Sequence, residues 1–150
     1  MTDPGVLLEK LARRAGAGRD LPPALRAIAR AIEESRAILN LEADFDGAGS
    51  PACSQKTWER AVGFLRRHAI AAYERDGTAI DVPHIGAGPG GSIDIHWESA
   101  SHELLVNIPA DPVARAELYG DDKATICIKG TLDPGSCTEG LVAWLTKRPR

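Results

Sequence analysis

Aromatic residues are scarce in this chain: two Phe, two Tyr and three Trp, 5% of 150 residues. None stands in an aromatic-plus-basic run, so a stacking platform for single-stranded nucleic acid is not expected. Positive charge is equally short, with 18 Lys and Arg against 21 Asp and Glu and a net charge of −3. Pairs such as Arg13-Arg14 and Arg66-Arg67 sit near acids, whereas a protein that neutralises phosphates carries a basic patch. Nucleic acid is therefore not an expected partner. No apolar stretch approaches the ~20 residues of a membrane span. The opening Met1-Thr2-Asp3-Pro4-Gly5 lacks the basic-then-apolar run of a signal peptide. Cysteine is limited to Cys53, Cys127 and Cys137. That odd number, without C-x-x-C spacing, argues against a disulfide framework and for free thiols in a reducing compartment. The expected location is the cytoplasm.

What is present is ordinary globular composition, 43% hydrophobic and 26% charged. A chain of this length fits one domain over residues 1–150 and buries roughly 70% of its unfolded surface, enough to fold with no disulfide, metal or cofactor. The expected organisation is a helical half over about 3–76, a sheet half over about 79–130 and a C-terminal helix over about 137–147. Val6, Leu7, Leu8 and Leu11 form a short amphipathic stretch that Gly16 and Gly18 end. Asp20 as cap and Pro22-Pro23 suit the start of a second helix. Leu25, Ile28, Ile32 and Leu39 then recur at helical spacing. After the polar loop Asp44 to Pro51, Ser54 can cap a third helix with Trp58, Val62, Leu65, Ala69 and Ala72 on one face and Phe64 beside them. Asp76-Gly77 closes it.

The period then changes from helical to two. Ile80 and Val82 begin an extended segment, which Pro83 marks as short or at an edge. From Ser92 to Glu98, Ile93, Ile95 and Trp97 alternate with Asp94, His96 and Glu98. Leu104, Val106 and Ile108 alternate again after a polar turn, so the two segments read as a β-hairpin that Pro109 and Pro112 stop. Ile126 and Ile128 lie in a later strand, with Thr125, Cys127 and Lys129 facing the other way. Ser136 and Glu139 form a capping box for a final helix packing Leu141, Trp144 and Leu145. The expected fold class is α+β, with N-terminal helices on one face of a small antiparallel sheet and a C-terminal helix. The other sheet face then carries Asp94, His96, Glu98, Asn107, Cys127 and Lys129, with the apolar Leu105.

Phe45-Asp46-Gly47-Ala48-Gly49, the helix beginning near Ser54, Gly90-Gly91 and His96-Trp97-Glu98 together resemble a loose group of small uncharacterised bacterial proteins. These pair an aromatic-Asp-Gly-x-Gly loop and an amphipathic helix with a later Gly-Gly turn and a Trp-bearing strand. The resemblance covers about a third of the chain, and Phe45 stands where that group is expected to have Trp. It implies a similar fold and no particular activity.

Several motifs invite chemistry. Gly86 to Gly91 contains G-x-G-x-x-G, but a dinucleotide site needs a helix straight after it, and here a strand follows. Asp44-Phe45-Asp46-Gly47 looks like a phosphatase D-x-D-G opening, yet the preceding Asn40 to Ala43 is too polar for a buried parallel strand. As an EF-hand loop the same segment fails, because Ala48 and Gln55 occupy positions that need oxygen ligands. Its acids are expected to brace the loop through backbone hydrogen bonds. His84, His96, His102 and Cys127 have no spacing that forces convergence on a metal, so none is expected. Cys137, as first residue of a capped helix, would feel the helix dipole, while Glu139 opposes thiolate formation.

The expected function is a small cytoplasmic protein-binding or adaptor protein, of antitoxin, immunity or operon-accessory type, without catalysis of its own. It would act on a protein partner, with homo-oligomers open. Asp94, His96, Glu98, Leu105, Asn107 and Lys129, together with Phe45 and Asp46, are the candidate binding residues. The alternative is a hydrolase or transferase using Cys137 or the His96 face.

Overall fold

Pro22 and Pro23 open the first helical segment of residues 21–146, the part of the chain that the computed structural model describes. The expected helix around Val6 to Leu11 and the Asp20 cap lie outside those residues. A 3-10 turn, Pro23–Leu25, leads into α1, Arg26–Glu34, and a second 3-10 segment, Ser35–Asn40, continues it. One regular helix through Leu39 was the expectation, and the change of period corrects it. Ile32, Ser35 and Ile38 are buried at a spacing of three, the 3-10 repeat. Ile38 thereby takes the core position, and Leu39 is only partly buried. Ser35 Oγ donates to the Ile32 carbonyl at 2.5 Å and accepts from Trp58 Nε1–H at 2.9 Å, which ties this segment to the next helix.

That helix, α2, spans Gln55–Asp76. Ser54 caps it as its sequence predicts, accepting the Thr57 N–H at 3.1 Å. Gly77, at φ +64°, ends it with an N–H bond to the Tyr73 carbonyl. Trp58, Val62, Phe64, Leu65, Ala69 and Ala72 are all buried.

Five strands follow: β1 His84–Ala87, β2 Ile93–Glu98, β3 Glu103–Ile108, β4 Ala116–Asp121 and β5 Cys127–Leu132. They pair antiparallel in chain order. The β2–β3 hairpin has the expected register, from Ile93 opposite Ile108 to Glu98 opposite Glu103. Ile93, Ile95, Trp97, Leu104, Val106 and Ile108 point to the helices and are buried. The fold is therefore α+β, with helices against one face of the sheet.

Three strand boundaries differ from expectation. Pairing begins at His84, after Pro83, because proline has no N–H for the ladder. Ile80 is still buried, whereas Val82 is 48% exposed. Gly86 and Ala87 belong to β1, so the turn of the glycine-rich segment is confined to Pro89–Gly91. β5 starts at Cys127 and leaves Ile126 exposed. Asp122 causes this, since its Oδ1 accepts the N–H groups of Ala124, Thr125 and Ile126 and folds them into a loop.

β4 has no counterpart in the sequence reading. Of its inward positions Ala116, Leu118 and Gly120, only Leu118 is a large apolar residue, too little to register as an apolar alternation. Gly120 is small for a reason: a Cβ there would stand 2.8 Å from Ile128 Cγ1 and 3.3 Å from Trp144 Cζ2. Gly120→Ala should therefore cost about 1–2 kcal/mol through overpacking. A urea midpoint equal to wild type would show that Ile128 and Trp144 yield without penalty.

The last helix, α3, spans Glu139–Thr146. The expected capping box is not formed, because the helix begins only at Glu139, and the Ser136 hydroxyl donates to Asp133 Oδ2 at 3.2 Å. Thr138 heads the helix instead, its carbonyl accepting the N–H groups of Leu141 and Val142. Leu141 and Val142 are buried against α2, and Trp144 and Leu145 pack against the core as expected while remaining partly exposed.

Candidate binding face

Strand alternation and register together define the sheet face away from the helices. Across its middle run His84, His96, Leu105, Tyr119 and Lys129, each opposite the next. One row aligns Glu98, Glu103, Asp121 and Cys127. The other aligns Gly86, Asp94, Asn107, Glu117 and Thr131. The expected face residues, Asp94, His96, Glu98, Leu105, Asn107, Cys127 and Lys129, are thus brought together on one surface.

Glu103, Glu117, Tyr119 and Asp121 complete that surface and are not among the sequence candidates. Glu103 was legible, since it precedes Leu104 in an alternating strand. The other three lie on β4 and became visible only with that strand. With them the face carries the carboxylates of Asp94, Glu98, Glu103, Glu117 and Asp121 against Lys129, with Lys123 beside Glu98 and Arg115 bonded to Thr131 at its margins.

The acids differ in their local bonds. Glu103 Oε1 lies 2.8 Å from His96 Nε2. Glu98 Oε2 lies 3.9 Å from Lys123 Nζ. Tyr119 donates its hydroxyl to Asp121 Oδ2 at 3.1 Å. Hydrogen bonding to Cys127 and then to Asp121 pushes the Tyr119 hydroxyl up to about 12, so it remains a donor at neutral pH. Lys129 Nζ lies 5.9 Å from the centre of the Tyr119 ring. Leu105, Tyr119, Glu117, Lys129 and Thr131 line a shallow depression of ≈ 390 Å³ on this face.

Asp94 and Asn107 serve the fold as well. Asn107 Nδ2 donates to Asp94 Oδ1 at 2.7 Å and to Ser92 Oγ at 2.9 Å, and Ser92 Oγ donates to the Pro89 carbonyl at 2.6 Å. This network braces the turn before β2.

Phe45 and Asp46 lie in a separate loop. Asp46 accepts the Ala48 N–H at 3.0 Å and the Ser50 hydroxyl at 2.7 Å. Those bonds, the Ser50 one foremost, hold its carboxyl below the usual carboxylate range. Asp44 Oδ1 accepts the Gly49 N–H at 2.7 Å. The acids brace the loop, as its composition predicts, while Phe45 is exposed. Ser50 Oγ in turn accepts the Gly90 N–H at 3.4 Å, and a Cβ on Gly91 would come 3.1 Å from Pro51. The Asp-Gly-x-Gly loop and the Gly-Gly turn, some 40 residues apart, are therefore in contact.

Cys137 does not stand where its proposed activation requires. It is exposed and precedes α3 by two residues, so it is not the first residue of that helix. Among the described residues no hydrogen bond links it to His96 or His102. His102 instead contacts Ser101 Oγ at 2.9 Å and the edge of Trp144. Donor atoms of His96, Glu98 and Glu103 all lie within 4.8 Å of one another. No helix of the described residues is long and apolar enough to cross a membrane.

No family model, curated protein or solved structure matches this chain.

Proposed function

We propose that this chain is a protein-binding or adaptor protein whose open sheet face docks a basic segment of a partner protein. The carrying observation is the five-strand face itself, where Leu105 and Tyr119 form an apolar centre among five carboxylates, which outnumber Lys129 and the flanking Lys123 and Arg115. Apolar contact at the centre supplies affinity, and the acidic surround steers and selects a cationic partner. The same acidity disfavours nucleic acid. Three free cysteines support a reducing compartment, and with it a cytoplasmic location, where a bacterial antitoxin, immunity protein or operon accessory subunit would act.

The test is capture of partners from the native host, followed by titration of the identified partner. Glu117→Lys and Leu105→Asp should melt like wild type and bind at least about tenfold more weakly, a loss of about 1.4 kcal/mol or more. Lys129→Glu makes the face more acidic and should keep or tighten the complex. Weakening by Lys129→Glu with no effect of Glu117→Lys would reverse the sign of the partner. Unchanged binding in all three variants would remove the sheet face from the interaction.

A further inference from the structure

We propose that His96, Glu98 and Glu103 form a binding site for one divalent transition-metal ion, with zinc the best fit to the donor set. The site shares Glu98 and Glu103 with the acidic surround of the partner face but not its Leu105–Tyr119 centre, so ion binding is measured separately from partner binding.

Strand geometry builds the site. His96 and Glu98, two residues apart on β2, project from the same face, and Glu103 on β3 stands directly opposite Glu98. The three therefore make a tripod on two adjacent strands. Its backbone is fixed by the β2–β3 ladder, and the intervening Trp97 and Leu104 are buried in the core beneath it. Such a base costs little ordering entropy when a ligand arrives.

The donors suit the ion. One imidazole nitrogen and two carboxylate oxygens are ligands that zinc accepts at about 2.0–2.2 Å, which places donor atoms roughly 3–3.5 Å apart. Here all three donor atoms already lie within 4.8 Å, and His96 Nε2 is 2.8 Å from Glu103 Oε1. Side-chain rotations close the remaining gap. The imidazole favours a transition metal over magnesium or calcium. Two carboxylates and a neutral imidazole would also balance the charge of the ion.

Electrostatics points the same way. Like charges directly opposite one another destabilise a strand pair, and Glu98, Glu103 and Asp121 stand in one row across three strands. Lys123 Nζ lies 3.9 Å from Glu98 at one end of this row, and the His96 imidazole lies against Glu103.

The probe is Zn²⁺ alone, titrated calorimetrically into chelator-treated full-length protein. One ion per chain is expected, and His96→Ala and Glu103→Gln should each weaken it by at least about 10–100-fold, the loss that even indirect ligand changes cause. Cys127→Ser and Cys137→Ser should leave binding unchanged. Co²⁺ should give visible absorption without the near-ultraviolet thiolate band. Far-UV circular dichroism identifies folded variants, and if His96→Ala fails to fold, the exposed Glu98→Gln takes its place. Failure to bind saturably would overturn the site. So would stoichiometric binding that survives the His and Glu substitutions, or that disappears with either cysteine.

Discussion

Replacing Trp97 by alanine should lower the unfolding free energy by about 3–5 kcal/mol, the range for truncating a buried large aromatic. Trp97 is 7% exposed, on the inward face of β2, opposite Leu104. Its indole N–H donates to the Asp81 carbonyl at 2.8 Å, so the same side chain fills the core and holds the segment entering β1. In a domain of this size the loss corresponds to a melting temperature lower by roughly 6–20 °C. Trp144→Ala should cost less, because that ring is only partly buried. Equal urea midpoints for wild type and Trp97→Ala would show that the inner sheet face is not the core.

His68→Ala should cost about 2–4 kcal/mol at pH 8, from the cavity and the N–H group it orphans. His68 is fully buried, and both ring nitrogens are used. Nδ1 lies 2.8 Å from the Phe64 carbonyl, which can only accept, and Nε2 takes the Thr138 N–H at 3.1 Å. These partners require the neutral ring with hydrogen on Nδ1. His68 thus joins the middle of α2 to the residue that heads α3, 70 positions later. Burial lowers its pKa most, the Phe64 carbonyl opposes that, and the charge of Arg67 adds to the lowering.

The unfolded chain therefore binds the proton more readily than the folded one. The stabilisation from neutral His68 is complete above the unfolded value of about 6.5. It is lost as pH falls from there through the lower folded value, below which it changes no further. Urea midpoints of wild type should fall more steeply between pH 7.5 and 5 than those of His68→Gln, where this titration is absent. Parallel pH profiles for the two proteins would refute the linkage.

The α2 helix and the β2–β3 hairpin were legible because their local signals agree with their environment. Ser54, the apolar stripe from Trp58 to Ala72 and Gly77 each mark α2 without reference to any distant residue. The alternation from Ile93 to Trp97 and from Leu104 to Ile108 marks both faces of the hairpin in the same way. β4 was illegible because Leu118 is its one large inward residue, and Gly120 answers to Ile128 and Trp144 rather than to its neighbours in the chain. The start of α3 was misread because Asp133 folds Gly135 and Ser136 into a turn of their own, its side chain and carbonyl accepting their N–H groups. Cys137 lost its apparent role with that shift.

Periodicity and capping chemistry alone therefore determined the α+β class, the long amphipathic helix, the central hairpin and the polar character of one sheet face, since each depends on interactions within a few residues. Only the tertiary structure decided which charges share that face. Register across five strands set Glu103, Asp121 and Glu117 beside Glu98 and Asn107, and placed Leu105 against Tyr119. It likewise brought His68 to Thr138 and the Asp46 loop to the Gly90 turn through Ser50. Such contacts join residues far apart in the chain, and strand order and helix docking create them by burying apolar surface in common, a collective quantity that no local pattern contains.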